Sequence, residues 1–185
     1  MIPLETLSSI ATKNAFDIAC RLHSGQFRKD GITPYIQHPM KVAALLQQWG
    51  VCDETIYCAA YLHDVLEDCK NVDENEIITH CSQETLELVK ILTKQPDESK
   101  DAYIQRVCEC ASIKALLIKA SDRICNTRDF LETGEKDYAR KYLHKADGVF
   151  HAITSLRHGT VFNSRFEETI DRCLAEFEKV CGEVV

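Results

Sequence analysis

Apolar residues recur at helical spacing along almost the whole chain, and this pattern most restricts the possible fold. No run of alternating β-branched residues bounded by turn signals is long enough to form a sheet. An all-α fold, a single helical bundle, is therefore predicted. Helices are predicted at about 5–24, 38–49, 53–68, 73–80, 82–94, 98–110, 111–131, 135–158 and 160–181. Gly50 and Gly159 are expected to end helices, and the expected N-caps are Asp53, Asp73, Ser82, Ser99 and Ser112.

The length of 185 residues suits one domain over 1–185, which would bury roughly 70% of the unfolded surface. Residues 25–36 interrupt the helical pattern with two glycines and a proline. Long structured loops of this kind often carry function.

The charge balance limits the possible partners. Lys and Arg number 22 against 29 Asp and Glu, so the formal net charge is -7. Such a surface repels nucleic acid and anionic membranes. The longest apolar stretch is well below the roughly 18 residues that cross a bilayer, so no membrane association is expected. An anionic ligand would need a local basic patch or a metal ion.

The chain has ten cysteines, but residues 1–10 have neither a basic segment nor an apolar segment of a secretory leader. Reduced thiols and a cytoplasmic location are therefore expected. The spacing contains no C-x-x-C, only Cys108-x-Cys110, so most cysteines are interpreted as small buried hydrophobic residues.

The predicted helix 53–68 places four polar side chains within one arc: His63, Asp64, Glu67 and Asp68. The preceding residues are apolar, so the helix is expected to be largely buried, where clustered carboxylates would repel one another. A bound cation would resolve this conflict. The alternative is a capped helix end in solvent that follows a core histidine.

Two other segments carry polar residues at helical positions. His38 directly precedes Pro39 in the first turn of the predicted second helix. Lys119, Asp122, Arg123 and Asn126 share adjoining positions of a helix whose other face is apolar. Taken alone, His38 would be interpreted as an ordinary cap or surface residue. The group from Lys119 to Asn126, taken alone, would be interpreted as a salt-bridged helix surface.

Taken together, three segments resemble the HD phosphohydrolase superfamily, and within it the hydrolase domain of RelA/SpoT enzymes. They are TPYIQHP at 33–39, AAYLHDVLED at 59–68 and KASDRICNTR at 119–128. The resemblance is closest to the stand-alone small alarmone hydrolases and covers roughly residues 5–180. It implies an HD-domain bundle that removes pyrophosphate from the 3′ position of (p)ppGpp, the nucleotide of the stringent response.

The resemblance also assigns roles to individual residues. It implies one divalent metal, usually Mn²⁺, bound by His38, His63, Asp64 and Asp122. Glu67 and Asp68 would act on the attacking water. The substrate contacts would come from Arg28 and Lys29 for the phosphates, and from Asn126, Arg128 and Tyr142 for the nucleotide.

The motifs depart from the family pattern at Ser121, where Ala is common, and at Thr127, where Leu or Met is common. Lys94 is not matched securely to the substrate-contacting lysine of the family. Two other functions stay open: a metal-dependent phosphatase for NADPH or another phosphorylated nucleotide, and a non-catalytic alarmone-binding module. The intact Glu67 and Asp68 argue against the binding module.

Overall fold

The computed structural model describes residues 9–158 and 164–185, and in these ranges the regular secondary structure is helical apart from an isolated antiparallel bridge between Phe27 and Pro34. This agrees with the predicted all-α class. The helices are α1 Ile10–Leu22, α2 Gln37–Gln48, α3 Glu54–Leu62, α4 Val65–Asp68, α5 Glu74–His80, α6 Gln83–Leu92, α7 Lys100–Glu109, α8 Ile113–Glu132, α9 Lys136–His144, α10 Asp147–Arg157 and α11 Glu167–Glu183. A short 3₁₀ helix, Ser164–Phe166, precedes α11. The described residues form two compact units: a first unit with residues up to 48 and 52–94, and a second unit with residues 49–51 and from 95 onward.

Helix α3 is the centre of the first unit. Every residue from Ile56 to Leu62 is buried, and α1, α2 and α6 pack around this helix. A helix that is apolar on all sides is expected to be enclosed by others. The residues that follow Leu62 are therefore attached to the end of a buried, well-packed helix.

The predicted helix 53–68 is not continuous, because α3 ends at Leu62 and α4 begins only at Val65. The prediction of one helix is therefore wrong at His63 and Asp64. The His63 Nδ1 atom lies 2.8 Å from the carbonyl oxygen of Ala60. In a continuing helix that carbonyl would accept the N–H of Asp64, so the side chain competes with the helical ladder.

The segment 25–36 is an ordered loop, as predicted. Asp30 organises its tip: Oδ1 accepts the N–H groups of Ile32 and Thr33, both at 2.9 Å, and Oδ2 accepts the Thr33 hydroxyl at 2.6 Å. Gly31 has φ +70, a left-handed conformation that costs glycine little. The tip is therefore closed by hydrogen bonds to one carboxylate.

Helix α8 is the centre of the second unit. Residues 115–125 are all buried. Helix α8 is packed against four other helices of the unit: α7, α9, α10 and α11. The predicted single helix 135–158 is wrong, because α9 ends at His144 and α10 begins at Asp147. The Asp147-Gly148 pair is a turn signal, and His144 Nδ1 lies 2.8 Å from the Asp147 carboxylate across the break.

The predicted N-caps and the predicted stop at Gly50 agree with the structure. The five predicted N-caps each accept a backbone N–H through the side chain: Asp53, Asp73, Ser82, Ser99 and Ser112. Gly50 follows α2 with φ +81. Helix α1 begins at Ile10 with Ser9 as its N-cap, five residues after the predicted start. The predicted stop at Gly159 lies outside the described residues.

All ten cysteines are free thiols in the structure. Only Cys58, Cys125 and Cys173 are fully buried, so the interpretation of most cysteines as core residues is wrong. Burial raises the pKa of the Cys125 thiol to about 12. None of the described helices combines the length and the apolar character that a membrane crossing requires.

We predict that Asp30 titrates far below an ordinary carboxyl group. Hydrogen bonds from the Thr33 hydroxyl and from the Ile32 and Thr33 N–H groups lower its pKa from 3.8 to about 2. A depressed folded-state pKa means that the closed tip is fully favoured above about pH 4 and loosens as pH falls toward 2. The carboxyl carbon shift in an NMR titration measures this. A midpoint near 4 would contradict the arrangement.

The single domain over 1–185 stays a prediction. If the two units unfold together, calorimetry will show one transition with equal calorimetric and van't Hoff enthalpies. Two resolved transitions would show instead that the units are separate folding domains.

Candidate metal centre and surrounding polar residues

His63 follows the last residue of α3 and is 2% exposed. A carbonyl oxygen can only accept a hydrogen bond, so the 2.8 Å contact with Ala60 places the proton on Nδ1. In a neutral imidazole the other nitrogen, Nε2, then carries a lone pair. Metal-binding histidines in proteins are commonly oriented by such a bond to a carbonyl group.

Three side chains of the first unit converge at this point. His63 Nε2 lies 3.1 Å from Asp64 Oδ2, and His38 Nε2 lies 3.8 Å from the same oxygen. The ligand atoms of His38, His63 and Asp64 all lie within 4.8 Å of one another. A lone pair facing a carboxylate oxygen is repulsive unless a cation lies between them. The donor set therefore fits a divalent ion.

Tyr35 connects this cluster to Asp68. Its hydroxyl group lies 2.8 Å from Asp64 Oδ2 and 2.8 Å from Asp68 Oδ2. Burial, followed by the charges of the two carboxylates, raises the pKa of the Tyr35 phenol above its ordinary value. Tyr35 therefore keeps its proton and acts as a hydrogen-bond donor.

Glu67 and the two basic residues of the loop lie on the same unit. Glu67 is exposed, and its Oε2 atom accepts the backbone N–H of Lys94 at 3.0 Å. The Arg28 guanidinium carbon lies 5.5 Å from the centre of the Tyr35 ring, whereas Lys29 is exposed. The structure thus links Arg28 to the cluster through Tyr35, and it links Lys94 to Glu67 through the main chain.

Asp122 lies on α8 in the second unit, where it is buried and bonded to two polar side chains of the same helix. Its Oδ2 accepts the Lys119 ammonium at 2.8 Å and its Oδ1 accepts the Asn126 amide at 2.5 Å. Burial works against the charge of Lys119, but Asp122 outweighs it and raises the pKa of that ammonium above its ordinary value. The role of Asp122 as a fourth metal ligand stays a prediction.

The remaining predicted substrate residues are also in the second unit. The Arg123 guanidinium carbon lies 4.5 Å from the centre of the Tyr142 ring, which fixes the position of that ring. Arg128 is paired with Glu176 of α11. The structure therefore groups Asn126 with Asp122 and Tyr142 with Arg123, and it gives Arg128 a carboxylate partner.

Sequence reasoning left Tyr35 without a role, although the tyrosine belongs to the quoted 33–39 segment. Its place in the same short segment as His38, two residues before α2 begins, was the available signal, and the two ring centres lie 6.2 Å apart. Lys119 and Arg123 were expected on a helix surface. They are each only 8% exposed, so the surface interpretation of these two residues is wrong.

Comparison with known proteins shows similarity along most of the chain. The HD domain family matches residues 15–161. The guanosine-3′,5′-bis(diphosphate) 3′-pyrophosphohydrolase MESH1 of Xenopus tropicalis is 36% identical over 121 residues, which are 62% of this chain and 66% of that protein. The human MESH1 is 36% identical over 122 residues, with the same shares of both chains.

A probable enzyme of the same name from Synechocystis is 34% identical over 150 residues, 76% of this chain but only 19% of that protein. This chain thus spans only part of the length of these relatives. Among solved structures, a metazoan ortholog of SpoT that hydrolyses ppGpp superimposes with a TM-score of 0.68 and 25% identity. That match covers 91% of this chain and 96% of the other.

The predicted family is confirmed by a match that includes all three motif segments, from His38 through the His63-Asp64 pair to Asp122. The helical architecture agrees with that of the solved SpoT ortholog. The chain therefore belongs to the HD domain family and is similar to its RelA/SpoT-type hydrolases.

Proposed function

We propose that this protein is a metal-dependent hydrolase that removes pyrophosphate from the 3′ position of (p)ppGpp and leaves GDP or GTP. One observation carries the proposal: two buried imidazoles and a carboxylate converge on one point, with Asp68 tied to that carboxylate through Tyr35. The names of the relatives support the substrate, since the MESH1 proteins and the Synechocystis protein are called pyrophosphohydrolases of this nucleotide.

His38, His63 and Asp64 would hold the metal, with Asp122 as the fourth protein ligand. Mn²⁺ is the proposed ion, because mixed imidazole and carboxylate ligands suit borderline and hard divalent cations. When bound, such an ion lowers the pKa of a water ligand and polarises phosphoryl oxygens.

Glu67 and Asp68 would handle the proton of the attacking water. Asp68 is exposed at the end of α4, and one of its oxygens is held 2.8 Å from the Tyr35 hydroxyl. The second oxygen is available to accept a proton or to orient water. Glu67 is oriented by the main chain at Lys94, so the two carboxylates need not act identically.

The substrate is an anion on an acidic protein, so it needs local positive charge. Arg28 and Lys29 in the 25–36 loop would bind its phosphates, and Arg28 is already oriented by the Tyr35 ring. Asn126, Arg128 and Tyr142 would contact the nucleoside. We place the enzyme in the cytoplasm with a small guanosine nucleotide as its partner and no nucleic acid, because the net charge of -7 disfavours polyanions.

Product analysis tests the function. Purified protein with Mn²⁺ and ppGpp should release pyrophosphate and GDP, which ion-exchange chromatography resolves. Orthophosphate released from NADPH without hydrolysis of ppGpp would favour the phosphatase alternative. Binding of ppGpp without any product would favour the non-catalytic module.

Loss of a metal ligand should abolish stoichiometric metal binding. We expect His38→Ala, His63→Ala, Asp64→Ala and Asp122→Ala to lose Mn²⁺ on dialysis, as measured by elemental analysis. His151→Ala is the control, because that histidine is exposed on α10 and bonds its own helix. Full metal content in Asp122→Ala would remove Asp122 from the ligand set.

Neutralising the water-handling carboxylates should affect turnover and spare binding. Glu67→Gln and Asp68→Asn should retain Mn²⁺ and ppGpp but lower kcat by roughly 100-fold to 10,000-fold, the range for general acid–base catalysis. Single-turnover kinetics measure this, with Glu74→Gln as an exposed control that pairs with Lys90. Near-normal turnover in both variants would contradict their role.

Removing a phosphate contact should weaken substrate use at constant metal content. Arg28→Ala and Lys29→Ala are each expected to cost about 1.5 to 3 kcal/mol, or about 10-fold to 150-fold in kcat/KM. Lys13→Ala removes the same charge from an exposed position on α1. If Arg28→Ala and Lys29→Ala had the same kcat/KM as Lys13→Ala at both low and high salt, the two loop residues would have no phosphate role.

A further inference from the structure

The Tyr35 hydroxyl contacts both Asp64 and Asp68. The phenol carries one proton and stands 2.8 Å from an oxygen of each carboxylate, so the two oxygens share one donor. Removing the hydroxyl would leave two carboxylates facing each other across the space that it occupied. The hydroxyl therefore determines where the Asp68 carboxylate can lie.

The Tyr35 ring is itself held in place. It stacks on the imidazole of His23, with ring centres 4.6 Å apart and planes at 22°. His23 is 3% exposed, and its Nδ1 lies 2.8 Å from the Gln26 side-chain oxygen. The main-chain N–H of Tyr35 donates to the Gln26 carbonyl at 3.0 Å. The hydroxyl thus projects from a rigid base rather than from a mobile side chain.

Gln26 gives Asp68 a second attachment to the same loop. Its Nε2 donates to the backbone carbonyl of Asp68 at 3.1 Å. Asp68 is exposed and ends α4, a helix of only four residues, so local helical structure alone would restrain it weakly. The loop 25–36 therefore holds both the main chain and the side chain of Asp68.

We propose that Tyr35 is a positioning residue that orients the Asp68 carboxylate for its work on the attacking water. The inference rests on the proposed function for the role of Asp68. Tyr35 touches no reacting atom in this scheme, and its contribution passes through Asp68. A purely structural role, or a role through the metal ligand Asp64, makes different predictions.

The test is a double-mutant cycle between Tyr35 and Asp68. Tyr35→Phe retains the ring that stacks on His23 and removes only the hydroxyl. We expect it to lower kcat for ppGpp by about 10-fold to 100-fold, with less than about a threefold change in KM and unchanged Mn²⁺ affinity. In the Asp68→Ala background the same change should alter kcat by less than about threefold, because no carboxylate remains to be positioned.

Tyr57→Phe is the matched control, since it removes a phenol hydroxyl from a buried position of α3. Melting temperatures of all variants check that the fold is kept. An equal loss of kcat from Tyr35→Phe with and without Asp68 would overturn the proposal. So would weaker Mn²⁺ binding in calorimetry, which would show that the hydroxyl acts through Asp64.

A readout without turnover separates this inference from the proposed function. If the wild-type protein does not hydrolyse ppGpp, the proposed function fails, and the crystal structure of Tyr35→Phe still tests the positioning role. We expect the Asp68 side chain in that variant to change rotamer or lose defined density. An Asp68 carboxylate that kept its wild-type orientation would overturn the proposal.

Discussion

The hydrogen bond from His63 Nδ1 to the Ala60 carbonyl supports much of the local structure around the candidate metal centre. It lies at the point where α3 ends, and it fixes which imidazole nitrogen faces Asp64. One contact of 2.8 Å at the helix end thus orients a proposed ligand. The imidazole is buried and directly follows the buried segment from Ile56 to Leu62, so it has little freedom to turn away.

The carboxylates beyond this break depend on a loop rather than on their own helix. Helix α4 has four residues, too few to hold its polar side chains by packing. The 25–36 loop supplies the Tyr35 hydroxyl and the Gln26 amide, and its tip is closed around Asp30. These hydrogen bonds restrain the loop, and loops held by a rigid scaffold often carry functional groups.

The second unit solves a different electrostatic problem. Lys119, Asp122 and Arg123 are all buried on α8, where an uncompensated charge is costly. The ion pair between Lys119 and Asp122 and the contact of Arg123 with the Tyr142 ring compensate these charges within the unit. A buried carboxylate held between an ammonium and an amide is pre-oriented for a further electrophilic partner, which is consistent with its proposed ligand role.

Local features of the sequence were enough to predict the all-α class, the order of most helices, the five described N-caps and the ordered loop at 25–36. These depend on periodicity and on residues within one turn of each other. The break at His63 could not be predicted in this way, because the helical apolar pattern continues past it. The break before Asp147 had a local signal in the Asp147-Gly148 pair, but the helical periodicity favoured one long helix. The tertiary structure alone shows that Tyr35 reaches Asp64 and Asp68, residues 29 and 33 positions away. It also shows that Lys119 and Arg123 are buried. These contacts and this burial depend on which helices pack over a polar face. The packing is stabilised by residues that are distant in the sequence, so local patterns do not reveal it.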